Sequence, residues 1–296
     1  MDTLETLRAV VFIAETGSFS RAARELRVSP TAITRAIAQL ENRLNTALFH
    51  RTTRAVTLTD EGALFLPRAK RVIEELAAAE SEILGKAVEP SGQLAITAPV
   101  LYGRLHVIPA VAELRIRHPG LRVRALLLDR VVNLAEEGID VAVRIGDLPD
   151  SALLAVRVGE VQQVLVASPS YLARRGTPQI PQDLEQHDII AFSGLGTLNE
   201  WRFGDGSVSR GFSPVLEVNT ADAAVEAAKS GMGIARLLSY QVRDQLEAGT
   251  LRTLLRERST APLPVHLVFP ANRRSSPAVR AFIDIVKTTG SSMSDD

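Results

Sequence analysis

Apolar residues recur at helical spacing through the N-terminal third of the chain. Leu4, Leu7, Val10 and Val11 share one face over Thr3–Glu15 and predict an amphipathic helix. Phe19, Ala22, Ala23 and Leu26 predict a second, short helix, with Ser18 placed to cap its open N–H groups. The small pair Ala22-Ala23 lets another helix approach closely. Ser29-Pro30 restarts the chain, because serine suits the cap and proline, lacking an N–H, suits the first helical position. The third helix turns Ile33, Ile37, Leu40 and Leu44 inward and leaves Thr31, Thr34, Arg35, Ala38 and Gln39 on its outer face. A short break between two helices, the second with a polar, donor-rich outer face, is the pattern of a helix-turn-helix. Phe49–Leu58 alternates around Val56 and Leu58 and fits a short wing hairpin.

Thr59-Asp60-Glu61 starts a helix that extends to about Leu84, with a capping threonine and two acids suited to the helix dipole. Within it Phe65, Ala69, Val72, Leu76, Ala79 and Ile83 are spaced 4-3-4-3-4, a seam of period ~3.5 that fits a partner helix. Pro67 removes one internal hydrogen bond and predicts a kink. Gly85–Gly92, with Pro90 and Ser91, reads as a boundary.

Beyond it, strands alternate with helices. Strands are expected at Gln93–Thr97, Leu121–Leu128, Ile139–Ile145, Val161–Ala167, Ile189–Ser193, Val215–Val218 and Val265–Phe269, and one follows the turn Gly231–Ala235. Helices are expected at Tyr102–Arg117, Val131–Glu137, Pro169–Arg175, Ala221–Ser230 (capped by Asn219-Thr220), Ser239–Glu247 and Ala278–Lys287. The alternation implies parallel sheets covered by helices. Gly204-Asp205-Gly206 reads as a hairpin turn, and Ser291–Asp296 as a tail.

Composition narrows the function. The 296 residues carry no net charge, yet Ser18–Leu58 holds seven arginines against Glu25 and Glu41. A local basic surface on a neutral chain suits phosphate contacts. No cysteine is present, which excludes disulfides and thiolate metal sites. The five histidines lack metal-ligand spacing, and no P-loop, G-x-S-x-G or G-x-G-x-x-G stands in the right context. No enzyme, metal or cofactor is therefore expected. With no long apolar run and no basic leader ahead of Asp2 and Glu5, the expected location is cytoplasmic.

Phe12, Glu15, Gly17-Ser18-Phe19, Ala22-Ala23, Leu26, Ser29, Leu40-Glu41, Leu48-Phe49, Arg51, Arg54 and Leu58-Thr59 together resemble the DNA-binding domain of LysR-type transcriptional regulators. Further matches at Gly92–Leu94, Pro109, His118-Pro119, Gly138–Gly146, Ser168-Pro169, Tyr171-Leu172 and Gly231–Ala235 carry the resemblance over nearly the whole chain. It implies an all-α winged helix-turn-helix head over 1–59, a dimerising linker helix over 60–88, and a two-lobed α/β effector domain like periplasmic binding proteins over 89–296. The DNA-contacting candidates are Ser29, Pro30, Thr31, Thr34, Arg35, Gln39, Arg51 and, on the wing, Arg54. Pro30 stands where many members carry glutamine, and Asn45, which tolerates a left-handed cap, where glycine is usual. Dimer contacts are expected from Phe65, Val72, Leu76 and Ile83, with a tetramer through the effector domains. The implied partners are double-stranded DNA, a small-molecule effector and a second copy of the chain, with no membrane.

Ligands of open α/β sheets sit at the carboxyl ends of strands. That rule selects Pro99, Val100, Leu101, Asp129, Gly146, Asn219 and Thr220. Open N–H groups at the helix starts would suit a carboxylate, but Ala98-Pro99-Val100 is apolar and lacks one N–H, which points to a more apolar effector. The alternative reading of residues 92–290 is a solute-binding protein without a regulatory role. The DNA-binding head counts against it.

Overall fold

The computed structural model describes residues 1–51, 56–83, 89–195 and 200–290. The chain divides into two compact units at Glu89/Pro90.

In the first unit, α1 (Thr3–Thr16), α2 (Phe19–Glu25) and α3 (Pro30–Leu44) enclose one core of Val10, Ile13, Ala22, Ala23, Ile33, Ile37 and Leu40. The caps are local chemistry: Ser18 accepts from the Arg21 N–H and Ser29 from the Ala32 N–H. Asn45 closes α3 in the left-handed conformation, as its short amide allows. Two inward assignments shift. Val11 is only half-buried while Ile13 is fully buried, and Leu44 is exposed because it lies beyond the last turn that faces the core. β1 (Phe49–Arg51) and β2 (Val56–Leu58) pair antiparallel, with Phe49 opposite Leu58.

Next, α4 (Asp60–Ile83) starts on Thr59, whose hydroxyl accepts from the Gly62 N–H at 2.9 Å and donates to the Ala47 carbonyl at 2.7 Å. Glycine is required at position 62, since a Cβ there would lie 2.1 Å from the Leu48 carbonyl oxygen. Pro67 lies within the helix. Of the expected seam, Phe65 packs against the head core and Ala69 is buried, whereas Val72 and Leu76 are exposed, at 52% and 41%. The side chain of Ile83, Arg54 on the wing, the 84–88 part of the expected boundary and the tail from Ser291 lie outside the described residues.

The second unit comprises two lobes, each built on a five-stranded sheet. Lobe I takes β3 (Gly92–Ala98), a helical run over 100–117, β4 (Leu121–Leu127), β5 (Val141–Ile145) and β6 (Leu153–Val161). The run consists of α5 (Val100–Tyr102), a π-turn (Gly103–Val107) and α6 (Ile108–Arg117). Lobe II takes β7 (Gln163–Ala167), α7 (Pro169–Arg175), β8 (Ile189–Phe192), the hairpin β9 (Glu200–Arg202) and β10 (Val208–Arg210), β11 (Leu216–Val218), α8 (Ala221–Lys229), β12 (Ile234–Leu238), α9 (Ser239–Glu247) and β13 (Arg252–Leu254). The chain then returns to lobe I as β14 (Leu263–Pro270) and α10 (Pro277–Gly290).

Strand order is β4-β3-β5-β14-β6 in one sheet and β11-β8-β12-β7-β13 in the other. Both are mixed rather than parallel: β14 runs antiparallel to β5 and β6, and β7 antiparallel to β12 and β13. The strand that follows each crossover, β7 or β14, enters its sheet from the opposite end, which reverses it. Two more expectations fail. Val131–Glu137 is no helix but a set of turns. The Asn133 side chain accepts from the Ala135 N–H and donates to Glu136, competing with helical bonds, and Gly138 ends the stretch at φ +66°. β6 was not foreseen: it is a half-exposed edge strand that, among the described residues, pairs with β14 alone.

The lobes join through two crossovers. Only Gln162 separates β6 from β7, and the second crossover follows β13. Gln162 ties the first crossover to the second and to the start of α9, its Nε2 donating to the Thr260 carbonyl at 2.7 Å and its carbonyl accepting from the Ser239 N–H at 2.8 Å.

Candidate nucleic-acid interface and ligand cleft

On the head, α3 presents Thr31, Thr34, Arg35 and Gln39 to solvent opposite its buried stripe, with Ser29 and Pro30 exposed at its start. The Ser29 oxygen is spent on the cap, but its O–H remains able to donate. The Thr34 hydroxyl donates to the Pro30 carbonyl at 2.9 Å and keeps its acceptor lone pairs outward. These groups are donors and acceptors of the kind that read base edges and phosphates.

Arg51 is more engaged than an exposed wing arginine need be. Its guanidinium meets Glu41 at 2.8 Å and lies 4.7 Å above the Phe19 ring. The other Glu41 oxygen accepts from the Leu48 and Phe49 N–H groups at 2.9 and 3.3 Å. One carboxylate thus fastens the end of α3 to the base of the wing, which fixes where the wing emerges. In the sequence Glu41 stands out only as a charge and as part of the family resemblance; its role depends on wing residues brought beside it by folding.

In the second unit, a cavity of about 120 Å³ opens where the strands of both lobes end. Pro99, Asp129, Arg144, Phe192, Leu195 and Tyr240 line it, together with Leu128, Val131 and Ile145. This is the carboxyl end of β3, β4, β5 and β8, the place where open sheets bind ligands. Of the candidates, Pro99 and Asp129 line the cavity. Val100 does not line it, but its N–H donates to the lining residue Asp129, at Oδ1, at 2.9 Å. The N–H expected to be open for a ligand carboxylate is therefore already taken by one of the protein's own. Leu101 is buried in the lobe I core, and Gly146 follows the lining residue Ile145 at φ +103°. Asn219 is exposed and Thr220 half-buried, and neither lines the cavity. Thr220 holds the cap position of α8 without a side-chain hydrogen bond, contrary to the capping role expected of it.

Burial raises the Asp129 pKa above its usual value, the Val100 N–H opposes that, and the nearby Asp222 carboxylate in the first turn of α8 adds to it. Arg144 donates to the Val132 carbonyl at 2.9 Å, and burial lowers its pKa. Tyr102 and Tyr240 meet edge-on with centroids 5.5 Å apart, and burial pushes the Tyr102 hydroxyl up to about 12 and Tyr240 higher still, so both stay protonated. The cavity therefore combines apolar side chains with one carboxylate and two guanidinium groups, Arg144 confined and Arg130 exposed and paired with Glu137 at 3.1 Å. Arg144, Phe192 and Tyr240 escaped sequence reading, although Arg144 was visible as the charged end of an apolar strand.

Among the described residues no His/Asp/Glu cluster could hold a metal ion, and no helix is long and apolar enough to cross a membrane.

Residues 4–63 match the family described as bacterial regulatory helix-turn-helix protein, lysR family, and residues 87–291 match the LysR substrate binding domain. The HTH-type transcriptional regulator CrgA of Neisseria meningitidis serogroup B is 33% identical over 287 residues, 95% of each chain. PtxR of Pseudomonas aeruginosa, an HTH-type transcriptional regulator, is 34% identical over 96% of this chain and 92% of its own. The solved structure of CrgA, a LysR-type transcriptional regulator, superposes with a TM-score of 0.62 at 31% identity, covering 98% of this chain and 99% of that one. Full-length AphB, a Vibrio cholerae virulence activator, superposes with a TM-score of 0.59 at 27% identity, covering 96% and 98%.

Proposed function

The chain belongs to the LysR family of bacterial transcriptional regulators, and on that premise we propose that it is a cytoplasmic, non-catalytic switch whose operator binding is set by a small effector held between its lobes. The observation that carries the DNA half is the capped helix α3, with Thr31, Thr34, Arg35 and Gln39 exposed on one face and Ile33, Ile37 and Leu40 buried on the other. Ser29, Pro30 and the arginines Arg51 and Arg54 of the wing region complete the contact set. Arg51 acts from a fixed position, because Glu41 and Phe19 hold it.

Assembly follows from surfaces the chain leaves open. Val72 and Leu76, three and seven positions along the seam from buried Ala69, support a dimer through α4, with Phe65 and Ile83 at its ends. Leu105, Ile108 and Ile116, exposed at 41%, 43% and 80% along the 100–117 run, support further pairing of effector domains into a tetramer.

The effector is a small, largely apolar molecule. A cavity of about 150 Å³ accepts a benzene-sized ligand, and the one here is slightly smaller. Its polar end faces Arg144 or Asp129, and Asn219 and Thr220 close on it only when the lobes approach. A ligand that touches both lobes favours one lobe arrangement, and that differential affinity is what shifts the equilibrium.

Selection of genomic fragments by the full-length protein tests the reading. The expected result is enrichment of a discrete set of sites, whose affinity then changes on adding a compound found by thermal shift. Absence of any enriched site would refute the regulator reading, and an effector that stabilises the protein without changing site affinity would refute the switch.

A further inference from the structure

The second unit carries a second, larger concavity of about 900 Å³, walled by the first crossover, α9, β13 and the turn after it. That volume lies within the range of small-molecule sites, ~300–1,000 Å³. Three arginines stand around it from separate elements: Arg243 on α9, Arg252 on β13 and Arg256 in the turn. None of the three has an ion-pair partner among the described residues. The acid on the wall, Glu160, is already held by Arg157 at 2.6 Å. His106 adds no charge near neutral pH, since burial and then the Arg243 guanidinium lower its pKa. A chain that is neutral overall thus concentrates uncompensated guanidinium charge around one hollow.

The hollow also has an apolar side. The ring of His106 lies 4.6 Å from Tyr102 and 6.0 Å from Tyr240, and Leu246 and Pro262 complete the wall. Tyr240 lines both this concavity and the interlobe cavity. Guanidinium forks bind carboxylate and phosphate oxygens in bidentate fashion, and several converging on one volume select ligands with several such groups.

We propose that this concavity is a second ligand site, distinct from the interlobe cavity, that takes a small organic polyanion carrying two or more carboxylate or phosphate groups. The site stands on its own residues and does not depend on the regulator reading. Its wall includes Gln162 and Ser259 of the two crossovers, which gives an occupant purchase on both junctions between the lobes.

Calorimetric titration of the full-length protein with citrate and, separately, with pyrophosphate at constant ionic strength tests this; the two probes separate a carboxylate preference from a phosphate one. One of them is expected to bind with a Kd below about 1 mM. Arg243→Gln, Arg252→Gln and Arg256→Gln should each weaken it about tenfold, and the triple variant should abolish it. These side chains are exposed, and an unchanged unfolding transition by Trp201 fluorescence verifies the fold of each variant. Val131→Asp, in the interlobe cavity, should leave binding unaltered. Failure of both probes to bind at millimolar concentration overturns the proposal, as does undiminished binding by the triple variant. Loss of binding in Val131→Asp with retention in the triple variant would put the anion in the interlobe cavity and overturn it equally.

Discussion

In the head, the centre of the candidate DNA face is four side chains, Thr31, Thr34, Arg35 and Gln39, on one helix. The ligand cleft instead gathers Pro99, Asp129, Arg144, Phe192 and Tyr240, each from a different segment of the second unit. A single-helix surface needs only that its helix form and bury its other face, so 3.6-residue periodicity and two caps specify it. A convergent cleft needs every strand to end at the right place, so it inherits the whole topology. The head should therefore lose function through individual contacts, and the cleft through anything that shifts its frame.

The largest effect is expected at the buried pair of lobe I. Arg273 Nε donates to Asp140 Oδ1 at 2.8 Å, and Asp140 Oδ2 accepts from the Ala95 N–H at 2.8 Å, tying the start of β5 to β3 and to the turn after β14. Asp140→Ala strands a buried guanidinium and a backbone N–H, and should cost about 3–5 kcal/mol. Trp201, the single tryptophan, sits in lobe II and reports this in urea unfolding. A loss below about 1 kcal/mol would mean the frame does not hang on that pair.

The dimer seam comes next. Leu76→Glu places a charge in both copies of the α4 contact, and each leucine lost from burial is worth on the order of 2 kcal/mol. Sedimentation should show monomers, and an intact dimer would remove Leu76 from the interface. Gly62→Ala, which drives a Cβ onto the Leu48 carbonyl, should destabilise the head by about 1–3 kcal/mol. The Trp201 transition should stay where it is. If it moves by as much as the head's, the two units unfold together and the contrast between them fails.

The smallest effect concerns charge in the cleft. Because the folded pKa of Asp129 lies above its unfolded value of 3.8, its carboxylate is penalised in the native state at neutral pH, and the penalty is relieved as pH falls through the folded pKa towards 3.8. Asp129→Asn keeps an acceptor for the Val100 N–H and removes the penalty. The variant should melt no lower than the parent at pH 7, with any advantage fading in acid. A lower melting temperature at pH 7 would show that the negative charge itself supports the cleft.

These contrasts match what the sequence made legible. Ser18, Ser29 and Thr59 act as caps and Asn45 as a left-handed stop because those interactions close within a few residues. The hairpin at Gly204–Gly206 was visible for the same reason. The alternating βα pattern was correct about helix-covered sheets, and the family resemblance about two lobes, but the strand direction was missed, since the reversal of β7 and β14 depends on which end of the sheet the crossover reaches. Among the described residues the edge strand β6 pairs with β14 alone, about 100 positions later, and its half-exposed residues leave only a faint period. Glu41, Arg144 and Tyr240 gain their roles from neighbours that folding supplies. Thr220 shows the converse: its position at the start of α8 was read correctly, but its hydroxyl makes no cap bond.

The central claim is that the outer face of α3 reads DNA. Fluorescence anisotropy on a selected operator duplex, comparing the parent with the combined Thr34→Ala, Arg35→Ala and Gln39→Ala variant at one fixed salt concentration, tests it most directly. Each base-edge contact is worth about 1–3 kcal/mol, so the variant should bind at least ~100-fold more weakly while its unfolding transition stays unchanged. Equal affinity of the folded variant and the parent for that duplex would contradict the account.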